Sequence, residues 1–336
     1  MINKTSNYIP GVMLAVAIAF VASMTATYLP VHIISATVLA LLLGMLINAV
    51  CEPKQPFVSG IRFTSKKLLK FAIILLGASL NMTTIIQVGG RSLIVLAFTL
   101  FTCFGIGAIL RKVFKLNWKL SNLISTGAAI CGGSAIAAVA PVIEAEDRDI
   151  AYALTVTFMF DMGMIILFPI IGKLTGLTDT AFGLWAGTAV NDTSSVVAAG
   201  YAFSEVAGDF AVTVKLIRTL FIIPTVIVFA VIHSYQKKDL AQKQSPKMAS
   251  MVKAIFPWFI VGFLVLAILN SASLIPSAVS DALKELSRFI MVAALAAIGL
   301  STRFKDIKQL GVKPLLYSLT LSSLVVVVAL LVISLQ

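Results

Sequence analysis

Long apolar runs alternate with short, polar, basic loops along the whole 336-residue chain. Windows of about 20 apolar residues, the length that crosses a bilayer as a helix, mark candidate spans. They fall near residues 10–28, 31–50, 68–88, 92–110, 120–143, 150–172, 180–203, 210–233, 255–274, 286–302 and 314–334. The pattern predicts an all-α polytopic membrane protein with about eleven transmembrane segments. Two of these runs make poor continuous helix. The first reads GAAICGGSAIAAVA from Gly127 to Ala140, with Cys131-Gly132-Gly133-Ser134 at its centre and Pro141 behind it. Adjacent glycines cost a helix interior about 2 kcal/mol relative to alanine, and proline removes a further hydrogen bond. Backbone groups freed by such a break need partners inside protein or in a watery cavity. The second run reads GTAVNDTSSVVAAG from Gly187 to Gly200. Gly127, Ala129, Ser134 and Ala138 recur there as Gly187, Ala189, Ser194 and Ala198, and the Cys-Gly-Gly centre becomes Asn191-Asp192-Thr193. Small residues also pack membrane helices closely, but that does not explain Asn191 to Ser195. Two interrupted helices, broken or re-entrant, are therefore predicted to line a site.

Composition places the chain in the membrane and narrows its chemistry. It is 59% hydrophobic and 12% charged, with a mean hydropathy of +1.02, far from soluble usage. Cys51, Cys103 and Cys131 are scattered and odd in number, so no disulfide framework is implied. His32 and His233 are the only histidines, and no CxxC or HExxH occurs, which argues against a metal site. A net charge of +12 alone is compatible with nucleic-acid binding, but its distribution points to topology. Twenty basic residues cluster on alternate loops, from Lys4 through Lys54–Lys70, Arg111–Lys119, Lys173 and Lys237–Lys253 to Arg303–Lys313. Only Arg91, Arg148, Lys284 and Arg288 fall on the other side. This is the positive-inside signature, with a cytoplasmic N-terminus and no nucleic-acid partner. Re-entry of 120–143 and 180–203 would move only Arg148 inside and Lys173 outside, so charge does not separate the two readings. Broken spans are favoured here because they put the acidic Glu144-Ala145-Glu146-Asp147 loop outside.

A second internal echo suggests inverted repeats. Leu68-Leu69-Lys70-Phe71 and Leu286-Ser287-Arg288-Phe289 each open a helix followed by a Gln-x-Gly, and in this topology the two helices run in opposite directions. Residues 235–253 form a polar, lysine-rich cytoplasmic linker between halves of a single transmembrane domain covering 1–336.

Charged residues deep in apolar spans are expensive and by default functional. Asp161 lies mid-span in TFMFDMGMIILFP, and Asp192 lies at the second break. Lys215 and Arg218 sit three apart in AVTVKLIRTLFIIP, on one helix face. They read either as structural ion pairs with the acids or as a site. In the site reading Asn191, Asp192 and Asp161 bind a coupling cation or proton. Lys215 and Arg218 face the breaks and hold an anion or neutralise Asp192. The half-helix N-termini suit an anion as well, with Cys131, Gly132, Gly133, Ser134, Thr193, Ser194 and Ser195 lining the position.

At these residues the chain resembles the YeiH-type family of bacterial membrane proteins, which carries a sulfate-exporter label. The resemblance rests on ICGGSAIAAVAP (Ile130 to Pro141), on GTAVNDTSSVVAAG and on the spacing between them, and it covers nearly the whole chain. That family is grouped with cation/proton antiporters and anion transporters. The resemblance implies a core of inverted repeats with crossing interrupted helices, set against a scaffold or dimerisation panel that would support a homodimer. The Asn191-Asp192 pair is similar to the Asn-Asp pair of some sodium/proton antiporters.

Together these readings give an expected function: a secondary active transporter of a small inorganic or sulfonated anion, sulfate-like, coupled to protons or sodium. A channel, or a sodium/proton antiporter with no anion substrate, are the alternatives. No Walker A motif occurs, no Ser/His, Cys/His or paired-carboxylate constellation suggests an enzyme, and no cofactor is implied.

Overall fold

The computed structural model describes residues 8–28, 36–236, 256–301 and 311–336. The polar linker lies outside the described residues from 237 onward, as do the basic residues Lys4, Lys237 to Lys253, and Arg303 to Lys308. The described residues are helical throughout, and the helices group into two compact units: residues 1–87, 197–209 and 258–305, and residues 88–196, 210–257 and 306–336.

In the first unit, α1 (Ile9–Tyr28) and α2 (Ala36–Val50) precede α3 (Phe57–Phe63), a wide turn at Thr64–Leu68, and α4 (Leu69–Leu76). Most of α5 (Met82–Phe101) belongs to the second unit, and α6 (Gly107–Phe114) lies wholly within it. The core of the first unit is rich in alanine: Ala15, Ala19 and Ala22 of α1 meet Ala40 of α2 and a row of small residues, Ala293, Ala296 and Ala297, on a late helix. Small side chains let helix backbones approach until they touch. A Cβ on Gly44 would come 2.4 Å from the Ala296 carbonyl oxygen, and one on Gly299 would come 2.3 Å from that of Leu41. The two segments of the second echo lie side by side here. Ser287 Oγ donates to the Ala72 carbonyl at 2.7 Å and Ser280 Oγ to that of Ala78 at 2.8 Å. One number falls as the other rises, so the helices are antiparallel, as the echo predicts.

The second unit holds both predicted breaks. Its elements are α7 (Trp118–Ala129), α8 (Gly133–Val139), α9 (Asp147–Leu174), α10 (Asp179–Ala189) and α11 (Thr193–Phe203), of which 197–203 belong to the first unit. They are followed by α12 (Glu205–Leu220) and α13 (Ile222–Gln236). After α14 (Trp258–Ser271) and α15 (Ser277–Leu300) in the first unit, α16 (Val312–Ser334) returns to the second.

Neither break belongs to a crossing span, which corrects the broken-span expectation for 120–143 and 180–203. At the base of α7, Lys119 Nζ donates to the Glu144 carbonyl at 2.6 Å, and Asn117 Nδ2 reaches the Asp149 carboxylate at 3.2 Å. The chain thus leaves the α7–α8 pair at the end where it entered, as a re-entrant hairpin. From there α9 runs 28 residues, about 42 Å, to the far end. The segment α10 starts from that far end. Beyond the second break the chain comes back to the middle at Lys215 and runs on to His233, whose imidazole lies 3.9 Å from the Glu144 carboxylate. The second hairpin therefore enters from the end opposite to the first. Opposed hairpins are what an inverted repeat produces.

Among the described residues, five helices are long and apolar enough to cross a membrane: Ile9–Ala26, Ile85–Phe114, Arg148–Leu174, Glu205–His233 and Val312–Ser334. Leu39–Val50 and Trp258–Ser271 are shorter apolar helices. The eleven apolar windows thus include two hairpins that turn back. The window at 286–302 is the apolar end of α15, whose first half carries Asp281, Lys284, Glu285 and Arg288.

Both hairpins are fastened to α16. Tyr317 shares a hydrogen bond of 2.8 Å with Ser125 of α7 and donates to the Gly107 carbonyl at 3.1 Å. Trp185 of α10, stacked on Phe168 at 4.0 Å, donates its indole N–H to the Val326 carbonyl at 3.0 Å.

Candidate functional site

The tips of the two hairpins meet in the second unit. The break in the first covers Ile130 to Gly132, and that in the second Val190 to Asp192. At Gly132 the backbone takes φ +63° and ψ −127°, a conformation that side chains disfavour. A Cβ there would stand 3.3 Å from both Cα and Cβ of Asp192. Glycine at 132 is what allows the two tips to touch.

Each break leaves a helix C-terminus pointing into an apolar interior, with unpaired carbonyls and about half a negative charge. Lys215 and Arg218 answer both. Lys215 Nζ donates to the Ile130 carbonyl at 2.8 Å and to that of Val190 at 2.9 Å. Arg218 Nε donates to Ala129 at 2.7 Å, Nη1 to Val190 at 3.2 Å and Nη2 to the Ala128 carbonyl. Both side chains are fully buried, at 0% and 1% exposure. One helix face thus ties together the ends of α7 and α10, and every bond is charge-assisted.

The opposite polarity is met at the start of α11. Asp161, buried at the middle of α9, accepts from the N–H of Asn191 at 2.9 Å and from that of Asp192 at 2.9 Å, one on each carboxylate oxygen. Asp192 then caps the helix itself, taking the Ser194 N–H at 2.9 Å and the Ser194 hydroxyl. Two carboxylates are natural partners for a helix N-terminus. Formally, two acids balance two bases around the crossing.

The structure thus brings Asp161, Asn191, Asp192, Ser194, Lys215 and Arg218 to one place, with Cys131 and Gly132 in the facing tip. Gly133 is half-buried at the start of α8, Ser134 is exposed, Thr193 is half-buried and Ser195 is buried. Asn191 is singular. Its side chain has 0% exposure, yet neither its amide nitrogen nor its amide oxygen has a hydrogen-bond partner. Leaving both unpaired costs a few kcal/mol.

Asp161, Lys215 and Arg218 bond to backbone groups, and not to one another as the ion-pair alternative has it. The carbonyls of Ala128, Ala129, Ile130 and Val190 carry no side-chain signal in the sequence. Two anchoring residues did carry a sequence signal. Asn117 and Thr178 each stand before an apolar run, as N-caps do. Asn117 Oδ1 accepts from Leu120 N at 2.6 Å, and Thr178 Oγ1 accepts from Ala181 N at 3.3 Å.

Comparison with known proteins identifies the family of the chain. The family described as conserved hypothetical protein 698 matches residues 10–318. A UPF0324 membrane protein of Clostridium tetani is 48% identical over 332 residues, covering 97% of this chain and 96% of its own. UPF0324 membrane proteins of Streptococcus agalactiae and Fusobacterium nucleatum are 40% and 37% identical, over 92% of this chain and 91% and 93% of theirs. The family resemblance read from the two interrupted motifs is thereby borne out, and the chain belongs to the UPF0324, or conserved hypothetical protein 698, family of membrane proteins.

Proposed function

We propose that the chain is a secondary active transporter of the bacterial cell membrane that moves a small, sulfate-like anion coupled to protons or sodium. The observation that carries this reading is the meeting of two oppositely directed re-entrant hairpins around the buried, unpartnered Asn191 amide. An unpaired amide adds nothing to stability, whereas a ligand that arrives and leaves would pair it. Asp192 and the Asn191 oxygen supply acceptors for a cation. Lys215 has three N–H groups and makes two bonds, and Arg218 has five and makes three, so donors for an oxyanion remain. The positive-inside bias assigns the end carrying Asn117, Glu144 and His233 to the cytoplasm. In this reading the first unit is the scaffold and offers the surface for a homodimer.

A second reading, cation/proton exchange with no anion, is favoured by one specific observation. Both bases are bonded to carbonyls and both tip N–H groups to Asp161, so no net positive charge calls for an anionic solute.

Thermal unfolding of the purified protein separates the two. Sodium and, separately, sulfate, sulfite and a simple sulfonate are titrated against wild type and Asp192→Asn. A ligand at one hundred times its Kd stabilises by about 2.7 kcal/mol. Stabilisation by an anion supports the first reading. Stabilisation by sodium alone, lost in Asp192→Asn, supports the second. No response to any of them overturns a solute site at the crossing.

A further inference from the structure

A second charged cluster lies in the first unit. Between α11 and α12 the chain turns at the single residue Ser204, and residues 201–209 close into an elbow. Ser204 Oγ accepts from the Ala207 N–H at 3.0 Å. The Tyr201 ring lies so close to Gly208 that a Cβ there would stand 2.5 Å from Cδ1. The Tyr201 hydroxyl donates to Asp209 Oδ1 at 2.5 Å.

This elbow is fastened to α15. Arg288 Nη1 pairs with Glu205 at 2.8 Å and Nη2 with Asp209 at 3.9 Å, while Lys284 Nζ lies 3.8 Å from Asp209. Lys284 and Arg288 are one turn apart and face the elbow together. Two acids meet two bases, so the cluster is balanced and selects neither an anion nor a cation. Side-chain exposure is 69% for Glu205, 32% for Lys284, 27% for Arg288 and 16% for Asp209. Ion pairs that are partly exposed break at modest cost.

What the elbow connects gives the cluster its meaning. From it α11 leads back to the second tip, and α12 leads to Lys215 and Arg218, which hold the carbonyls of both tips. A shift of the elbow is a shift of that helix, and it loads the bond between Lys215 and Ile130, next to Cys131. We infer that Glu205 and Asp209 with Lys284 and Arg288 form a releasable clasp. Held, it fixes α12 and keeps the tips closed; released, it lets Lys215 move against Ile130 and Val190 and opens the crossing to solute.

The test needs no knowledge of the solute, so its outcome is independent of the transport reading. The native Cys131, buried at the crossing, is the reporter. Full-length protein in membrane vesicles is treated with a water-soluble methanethiosulfonate, and modification is followed at Cys131 alone by mass spectrometry of its peptide. Arg288→Gln should raise the rate about fivefold, the population change that loss of an exposed ion pair produces. Lys284→Gln, which loses only the longer pair, should raise it less. The swapped pair Glu205→Arg with Arg288→Glu should return the rate towards wild type. An unchanged rate in both single variants overturns the clasp. So does a rise that the swap leaves in place, because general loosening of the fold would produce it.

Discussion

The two hairpin tips solve the same problem by different means. Each leaves a helix C-terminus in an apolar interior, and both are treated alike, by Lys215 and Arg218 reaching their last carbonyls. The other half of each break is treated differently. In the second tip the start of α11 is held by side chains, with Asp161 taking two N–H groups and Asp192 a third. In the first tip the start of α8 has no side-chain cap, and the turn is made by Gly132 alone, with its N–H on the Gly127 carbonyl at 3.0 Å. One tip is thus built of charge and the other of backbone. The two motifs differ most where the chemistry divides, because only the second tip carries acids.

This contrast can be broken most forcefully where the tips share a support. Arg218→Met should leave the carbonyls of Ala128, Ala129 and Val190 short of donors in a buried site. The expected loss is about 3–5 kcal/mol, seen as a large fall in the midpoint of thermal unfolding in detergent. A fall of only a degree or two would mean that water replaces the guanidinium and that it does not hold the tips.

A smaller effect tests the backbone tip by itself. Gly132→Ala places a Cβ 3.3 Å from Asp192 on a residue with φ +63° and should cost about 1–3 kcal/mol. Its neighbour is the control. A Cβ on Gly133 meets only the movable end of Leu154, at 3.2 Å, so Gly133→Ala should be close to neutral. Equal losses at both positions would remove the special role of Gly132.

The smallest effect sharpens the charged tip. Asp161→Asn puts an N–H where one amide needs an acceptor and should cost about 1–3 kcal/mol. Asp192→Asn keeps a capping oxygen for Ser194 and should cost less than about 1 kcal/mol. Unfolding midpoints of the two variants give the order, and a reversed order would make Asp192 the structural acid.

The positions of both tips were legible in the chain because they depend on local rules. Gly132-Gly133 and Asn191-Asp192 are poor helix in otherwise apolar runs, and the structure breaks within a residue or two of each. The importance of Asp161, Lys215 and Arg218 was legible for the same reason, since charge is costly in lipid. Their partners were not. Every amino acid supplies a carbonyl and all but proline an N–H, so no residue letter marks Ala128, Ile130 or Val190 as the ones that meet a cation. Re-entry was also hidden. Moving Arg148 to one side and Lys173 to the other leaves the charge bias unchanged, and the contacts of Lys119 with Glu144 and Asn117 with Asp149 distinguish the two paths. The elbow escaped notice because Glu205, Asp209, Lys284 and Arg288 sit near the ends of apolar windows, where charge costs little and draws no attention.

The dependence of both hairpins on α16 sets the order in which this protein can be finished. Ser125 and Tyr317 are separated by 192 residues and Trp185 and Val326 by 141, so both fastenings close long loops. A chain made from its N-terminus has inserted both hairpins before their support exists. Until α16 arrives, two short, kinked segments with open carbonyls must be sheltered by the cations of α12 alone. The helix α16 is in that sense a keystone, and the site is complete only once it has been made.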